Sequence, residues 1–134
     1  MFTEQEIAYI KSQRLTRIAT VSADMQPDVA AVGFEFDGHY LYVGGHGDAR
    51  SRRKHKNVES GNHKVALIMD DLVSVQPWVA RGIRIYGTAE VVERNGMFGP
   101  GWYLRITPTT SWSWGINPVE PGQQFSMTRT KHGS

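Results

Sequence analysis

Cysteine is missing from all 134 positions. That excludes disulfides and thiolate-bound metals, and it suits a reducing cytosol. No stretch is long and apolar enough to span a bilayer as a helix. The opening "MFTEQEIAYI" is acidic and is not built like a secretory signal, so a cytoplasmic location is the expectation. There is no P-loop and no G-x-G-x-x-G fingerprint. The five histidines, His39, His46, His55, His63 and His132, never fall four residues apart, so no helical face offers two imidazoles to a metal. All but His46, which follows a glycine pair, read as isolated surface or turn histidines. No Ser/His/Asp arrangement follows from spacing. Net charge is scarce too: 15 Lys and Arg face 13 Asp and Glu, a formal +2. A protein that lives on nucleic-acid backbone contacts shows a broader basic surface.

The positive charge that exists is concentrated. In "GGHGDARSRRKHKNVES", Arg50, Arg52, Arg53, Lys54 and Lys56 crowd together just after Gly44 and Gly45. The run lacks the interleaved acids that make i,i+4 pairs. Glycines let backbone approach a ligand, and a helix start adds free N–H groups that suit a phosphate. The spacing predicts a helix from about Asp48, its cap, to Ser60, with Gly61 ending it. Its thin apolar side is Ala49 and Val58. The residues leave three readings open: an anion site, a solvated charged face, and a phosphate-backbone patch for nucleic acid helped by Tyr40 and Tyr42.

The rest of the chain is mostly strand. Thr3 and Glu6 form a capping box for a first helix ending near Ser12 to Arg14. "RLTRIATVS" reads as a strand. "VAAVGFEF" and "HYLYV", joined at Asp37-Gly38, predict a hairpin in which both turn residues accept positive φ. "KVALIMD" is a strand, with Asp70-Asp71 a turn and "DLVSVQPWVAR" an irregular connection. "GIRIYGTAEVVE" alternates, with Ile83, Ile85, Ala89 and Val91 on one face. "NGMFGPG" reads as a loop. Trp102, Leu104 and Ile106 share a core face of a last strand that Pro108 ends. Trp78, Trp112 and Trp114 lie outside the evident core. They suit a subunit surface, a wall for a planar ring, or plain loop packing. The expectation is one mainly β domain over residues 1–134, a six-stranded antiparallel barrel with Greek-key or meander connections. Residues 118–134 form a tail whose packing is left open.

The order of "RLTRIATV", "QPDVAAVGFEFDG", "YLYVGG", "SRRKHKNV", "KVALIMDD", "RGIRIYGTAEVVE" and "LRITPTTSWSWG" resembles the pyridoxamine 5′-phosphate oxidase-like, FMN-binding split-barrel superfamily. The likeness is closest to its probable F420-dependent oxidoreductase branch. The resemblance implies a split-barrel homodimer with a flavin or deazaflavin in a groove between subunits. It implies that Arg52, Lys54 and Asn57, followed by Val58, meet the cofactor phosphate. Gly44, Gly45, His46 and Ser51 belong to the same junction, the segment from Pro27 to Val32 would run beside the ring, and Trp78 would close it. Five cations exceed what FMN's phosphate needs and suit the acidic oligoglutamate tail of F420. The implied function is an oxidoreductase in which reduced F420 passes a hydride to an unsaturated small molecule. The alternatives are an FMN-dependent oxidoreductase of the same fold, or a non-catalytic flavin- or heme-binding protein. No metal, membrane or nucleic-acid partner is expected.

Overall fold

The structure is a computed structural model that describes residues 1–45, 49–119, 122 and 126–133. The first helix, α1 (Glu4–Ser12), starts at the expected capping box: the Glu6 N–H donates to Thr3 Oγ1 at 3.1 Å, and the Thr3 N–H donates to Glu6 Oε1 at 3.0 Å. Phe2, just ahead of the cap, is buried edge-on against Phe36. The strands are β1 (Leu15–Val21), β2 (Pro27–Phe36), β3 (Leu41–Gly44), β4 (Lys64–Ser74), β5 (Val79–Gly96), β6 (Gly99–Trp114) and β7 (Met127–Lys131). A short helix, α2 (Arg53–Glu59), lies between β3 and β4.

All strand pairs are antiparallel, in the order β3-β2-β1-β4-β5-β6-β7, and β3 also pairs with β6. That last pairing closes a six-stranded barrel and leaves β7 outside it. The four residues of β3 pair with Tyr103–Ile106, and β7 takes Thr110–Trp114 further along β6. β3 and β4 are not neighbours, so the connection carrying α2 crosses from one part of the barrel to another. Inward residues of the six barrel strands fill the core: Ile18, Phe34, Leu41, Val43, Leu67, Met69, Ile83, Ile85, Leu104 and Ile106 are all buried. The alternation expected in β5 holds, with Ile83, Ile85 and Ala89 inside and Arg84, Tyr86 and Glu90 outside.

Several local expectations are corrected. The β2–β3 loop spans Asp37 to Tyr40, because Phe36 pairs with Leu41. Only Gly38 has positive φ there. The Asp37 carboxylate accepts from the N–H groups of His39 and Tyr40 at 2.8 and 2.7 Å, closing a longer turn by itself. Asp70 and Asp71 lie within β4 and bridge opposite faces: Asp70 pairs with Arg17, while Asp71 takes Arg81 and the Tyr9 hydroxyl. Most of "DLVSVQPWVAR" is strand, with a tight turn at its centre, and "NGMFGPG" closes the β5–β6 hairpin. Pro108 does not end β6. The register slips beside it, with Tyr86 opposite Thr110 and Gly87 opposite Pro108, so the missing N–H falls at an irregularity. Gly87 is required at that crossing, since a Cβ would lie 2.8 Å from the Thr107 carbonyl oxygen. Trp102 is not core: it is on the surface, where the Arg50 guanidinium stacks on it at 4.3 Å.

Glu6 is fully buried and ties α1 to the far end of β6. Its Oε2 accepts from Ser113 Oγ at 2.5 Å and Asn117 Nδ2 at 3.1 Å. Removing the carboxylate takes away the acceptor of the Ser113 hydroxyl and the Thr3 N–H, and leaves Asn117 Nδ2 only its bond to Ser113 Oγ. Glu6→Ala is expected to cost about 2–4 kcal/mol in urea unfolding, and Glu6→Gln clearly less.

Candidate functional site

Where β3 ends, the chain turns left-handed at Gly44 (φ 108°) and Gly45 (φ 85°). Side chains force that choice. A Cβ on Gly44 would lie 2.7 Å from the His55 ring, and one on Gly45 would run into the Tyr103 ring. The Gly45 N–H donates to the Trp102 carbonyl at 3.0 Å, pinning the turn to β6. The basic stretch then forms a single 3₁₀ turn, Ala49–Ser51, followed by α2. The expected continuous helix from Asp48 is therefore corrected. Arg52 is the N-cap of α2, and its side chain makes no capping bond. Asp48 and His46 lie outside the described residues. Gly61 ends the helix with φ 113°, as expected.

α2 is held to the barrel by its buried side. Val58 and Ala49 are buried, and Asn57 Nδ2 donates to Thr20 Oγ1 on β1 at 2.9 Å. What remains open is a groove of ≈ 270 Å³ between β2 and the α2 start, lined by Ala30, Val32, Gly44, Arg52, Lys54 and His55 among others. Val32, Gly44, Arg52 and Lys54 thus come together. Gly45 adjoins them in the turn, and Ser51 stands exposed in the 3₁₀ turn. Asn57 faces the barrel rather than the groove. Pro27 lines a separate apolar shelf of ≈ 470 Å³ with Ala19, Val21, Ala66 and Tyr86. Trp78 is 68% exposed in the β4–β5 turn and lines neither.

The electrostatics of the groove are uneven. Lys54 is half-buried, and its pKa is lowered by that burial and then by Arg52, while Asp28 opposes the shift. Arg50 is not free: its Nε donates to Glu59 Oε1 at 2.8 Å, an acid nine positions on that i,i+4 counting misses. His55 is the residue that sequence reasoning missed. It is fully buried, and neither ring nitrogen has a hydrogen-bond partner among the described residues. Burial first, and Lys54 second, push its pKa down to about 4; the nearby Trp102 carbonyl pulls the other way without meeting normal bond geometry. The signal available in the sequence was its place three residues into a helix that follows two glycines. His39 and His63 are exposed as expected, while His132 is partly buried against Ser111. Among the described residues no group of three His, Asp or Glu could hold a metal ion, and no helix is long and apolar enough to cross a membrane.

Residues 2–122 match the pyridoxamine 5′-phosphate oxidase family. The chain belongs to that family. An oxidoreductase function goes with that family. A 5a,11a-dehydrotetracycline/5a,11a-dehydrooxytetracycline reductase of Streptomyces rimosus subsp. rimosus is 35% identical over 121 residues, covering 86% of this chain and 84% of the relative. Among solved structures, general stress protein 26 of Bacillus anthracis superposes with a TM-score of 0.64 at 21% identity, covering 95% of this chain and 97% of the other. A protein named as an F420 reductase superposes with a TM-score of 0.56 at 22% identity, covering 72% and 87%. The two structural likenesses speak to the fold.

The buried neutral His55 gives this family member a pH-dependent stability. Unfolded, the imidazole takes a proton near pH 6.5; folded, it does so only near pH 4. The unfolded chain therefore binds more protons between those values, and the contribution is full above pH 6.5 and lost as pH falls toward 4. Urea titrations from pH 7 to pH 4 are expected to show a loss of roughly 2–3 kcal/mol that His55→Leu removes.

Proposed function

We propose that this protein is a reductase that uses coenzyme F420 to deliver a hydride to an unsaturated small molecule, working as a homodimer whose subunits share the cofactor groove. The observation that carries the reading is the groove itself: two cations, Arg52 and Lys54, beside a glycine turn that leaves no room for a Cβ. Lys54 loses part of its hydration there, so an anion that pairs with it replaces water at a favourable place. These residues fit a phosphate. Val32 and Ala30 supply the apolar wall that a ring system needs.

Reduced F420, when bound, supplies the hydride. The chain's own task is to hold the phosphate with Lys54 and Arg52, keep the turn at Gly44 and Gly45 close, and exclude water along Val32. Arg50 is spent on Glu59, which leaves Arg52, Arg53, Lys54 and Lys56 without an ion pair among the described residues. That surplus over one phosphate supports the acidic tail of F420 against FMN. The S. rimosus relative's name, a reductase of a dehydro compound, supports an unsaturated acceptor. Pro27 and its shelf, with exposed Val29 and Trp78, are available to a second copy, and on this reading Trp78 closes the groove of the partner.

Lys54→Ala is expected to weaken F420 binding by about 1.5–3 kcal/mol, roughly ten- to hundredfold, while Lys56→Ala costs clearly less. Calorimetric titration with F420 and FMN side by side checks both this and the cofactor choice. Tight FMN binding with no F420 binding would reverse the choice. Equal, small effects of the two lysines would return α2 to a solvated charged face. Cofactor binding without turnover of any acceptor would make the protein a carrier.

Sedimentation at micromolar concentration is expected to give a dimer, with or without cofactor. A cofactor-bound monomer would remove the shared groove and the role given to Trp78.

A further inference from the structure

His55 is the one fully buried titratable side chain of α2, and nothing in the phosphate reading uses it. We propose that His55 is a positioning residue of the groove: its buried imidazole, unpartnered among the described residues, responds to an anion held between Arg52 and Lys54, so that anion binding and His55 protonation favour each other. The inference rests on the anion groove described above and adds to it a residue and a proton.

The geometry sets the coupling. The ring lies directly under Gly44, so close that any larger residue there would strike Cε1 and Nε2. Gly44, Arg52, Lys54 and His55 all border the same groove. The charged and polar groups that bear on the ring come from each element around it. Lys54 and Glu59 share its helix, Arg50 comes from the 3₁₀ turn, and the Trp102 carbonyl from β6. Arg52 at the helix start and Asp28 on β2 act through Lys54. Glu59 is already engaged by Arg50. Burial first, and then Lys54, keep the imidazole neutral. An anion between Arg52 and Lys54 offsets the cations that oppose a charge on the ring, and it acts across buried protein where solvent screens little.

A purely structural role does not explain an imidazole at this place. Two buried nitrogens without partners cost free energy that an apolar side chain of similar size would not. A leucine would fill the space under Gly44 at least as well. The imidazole therefore gives up some stability in the free protein, and the coupling supplies a reason for keeping it.

The test uses inorganic sulfate, which stays dianionic from pH 4 to 8, so any pH dependence of its binding belongs to the protein. Histidine Cε1–H resonances are followed by NMR through a pH titration with and without sulfate. The His55 midpoint is expected to rise by about one pH unit with sulfate bound, equivalent to about tenfold tighter binding to the protonated form. Sulfate affinity should accordingly be about threefold higher at pH 4.5 than at pH 7. Asp28 and Glu59 also lose charge as pH falls, and His55→Leu isolates their share: this variant should lack the His55 portion of the pH dependence of sulfate binding and melt no lower than the parent. Sulfate binding that leaves the His55 midpoint unmoved overturns the proposal and leaves the groove reading standing. No sulfate binding at all overturns both. A leucine variant that melts lower with unchanged pH dependence makes His55 a packing residue. If that variant fails to fold, the parent titration alone decides.

Discussion

A strand of four residues closes this barrel. β3 pairs with β2 on one side and β6 on the other, and both ends of the ring depend on it. Leu41 and Val43 are fully buried, so the strand is anchored by packing as well as by its two ladders. It stops where the Tyr103 and His55 rings fill the space that the next side chains would need. Glycine is the residue that passes such a point, because it reaches positive φ at little cost and carries nothing to collide. The same two rings that end the strand therefore direct the chain into the basic segment. Barrel closure and groove formation are consequences of one close approach.

That dependence explains which features were legible in the sequence. Period-two alternation marked the inner face of β5, because Ile83, Ile85 and Ala89 face a core that asks only for apolar volume. The capping box of α1 was legible because all its partners lie within four residues. Features set by distant partners were not. Pro108 looks like a strand end until the slip against Gly87 is known. Trp102 keeps an alternation with Leu104, yet Tyr103 and Leu104 are both buried, because the Tyr103 ring packs against Gly45 and Gly96. The tail beyond Gly115 has no strong pattern, yet Met127–Lys131 becomes a strand because β6 offers it an edge.

The candidate site divides in the same way. Val32, Gly44, Arg52 and Lys54 could be grouped from the strand-to-helix order, since they flank one junction. The Arg50–Glu59 pair joins residues on either side of the break between the 3₁₀ turn and α2, a break that sequence spacing does not reveal. His55 was hidden for a related reason. Its neighbours Arg53, Lys54 and Lys56 suggest a solvated surface, and only the docking of Asn57 and Val58 onto the barrel turns that position inward. A short helix that buries His55, Asn57 and Val58 among its cations is amphipathic in a way that composition conceals.

The division of β6 between two partners has a consequence for how the molecule behaves among its own kind. β3 covers residues up to Ile106, and β7 covers the edge from Thr110 to Trp114. Without the C-terminal strand, that stretch would present bare main-chain donors and acceptors beside two tryptophans, a template on which a foreign strand could extend the sheet. β7 replaces that edge with "MTRTK", five residues that include Arg129 and Lys131. Its brevity and positive charge discourage further strand addition. The segment that contributes least to the barrel thus serves as its guard against uncontrolled growth of the sheet.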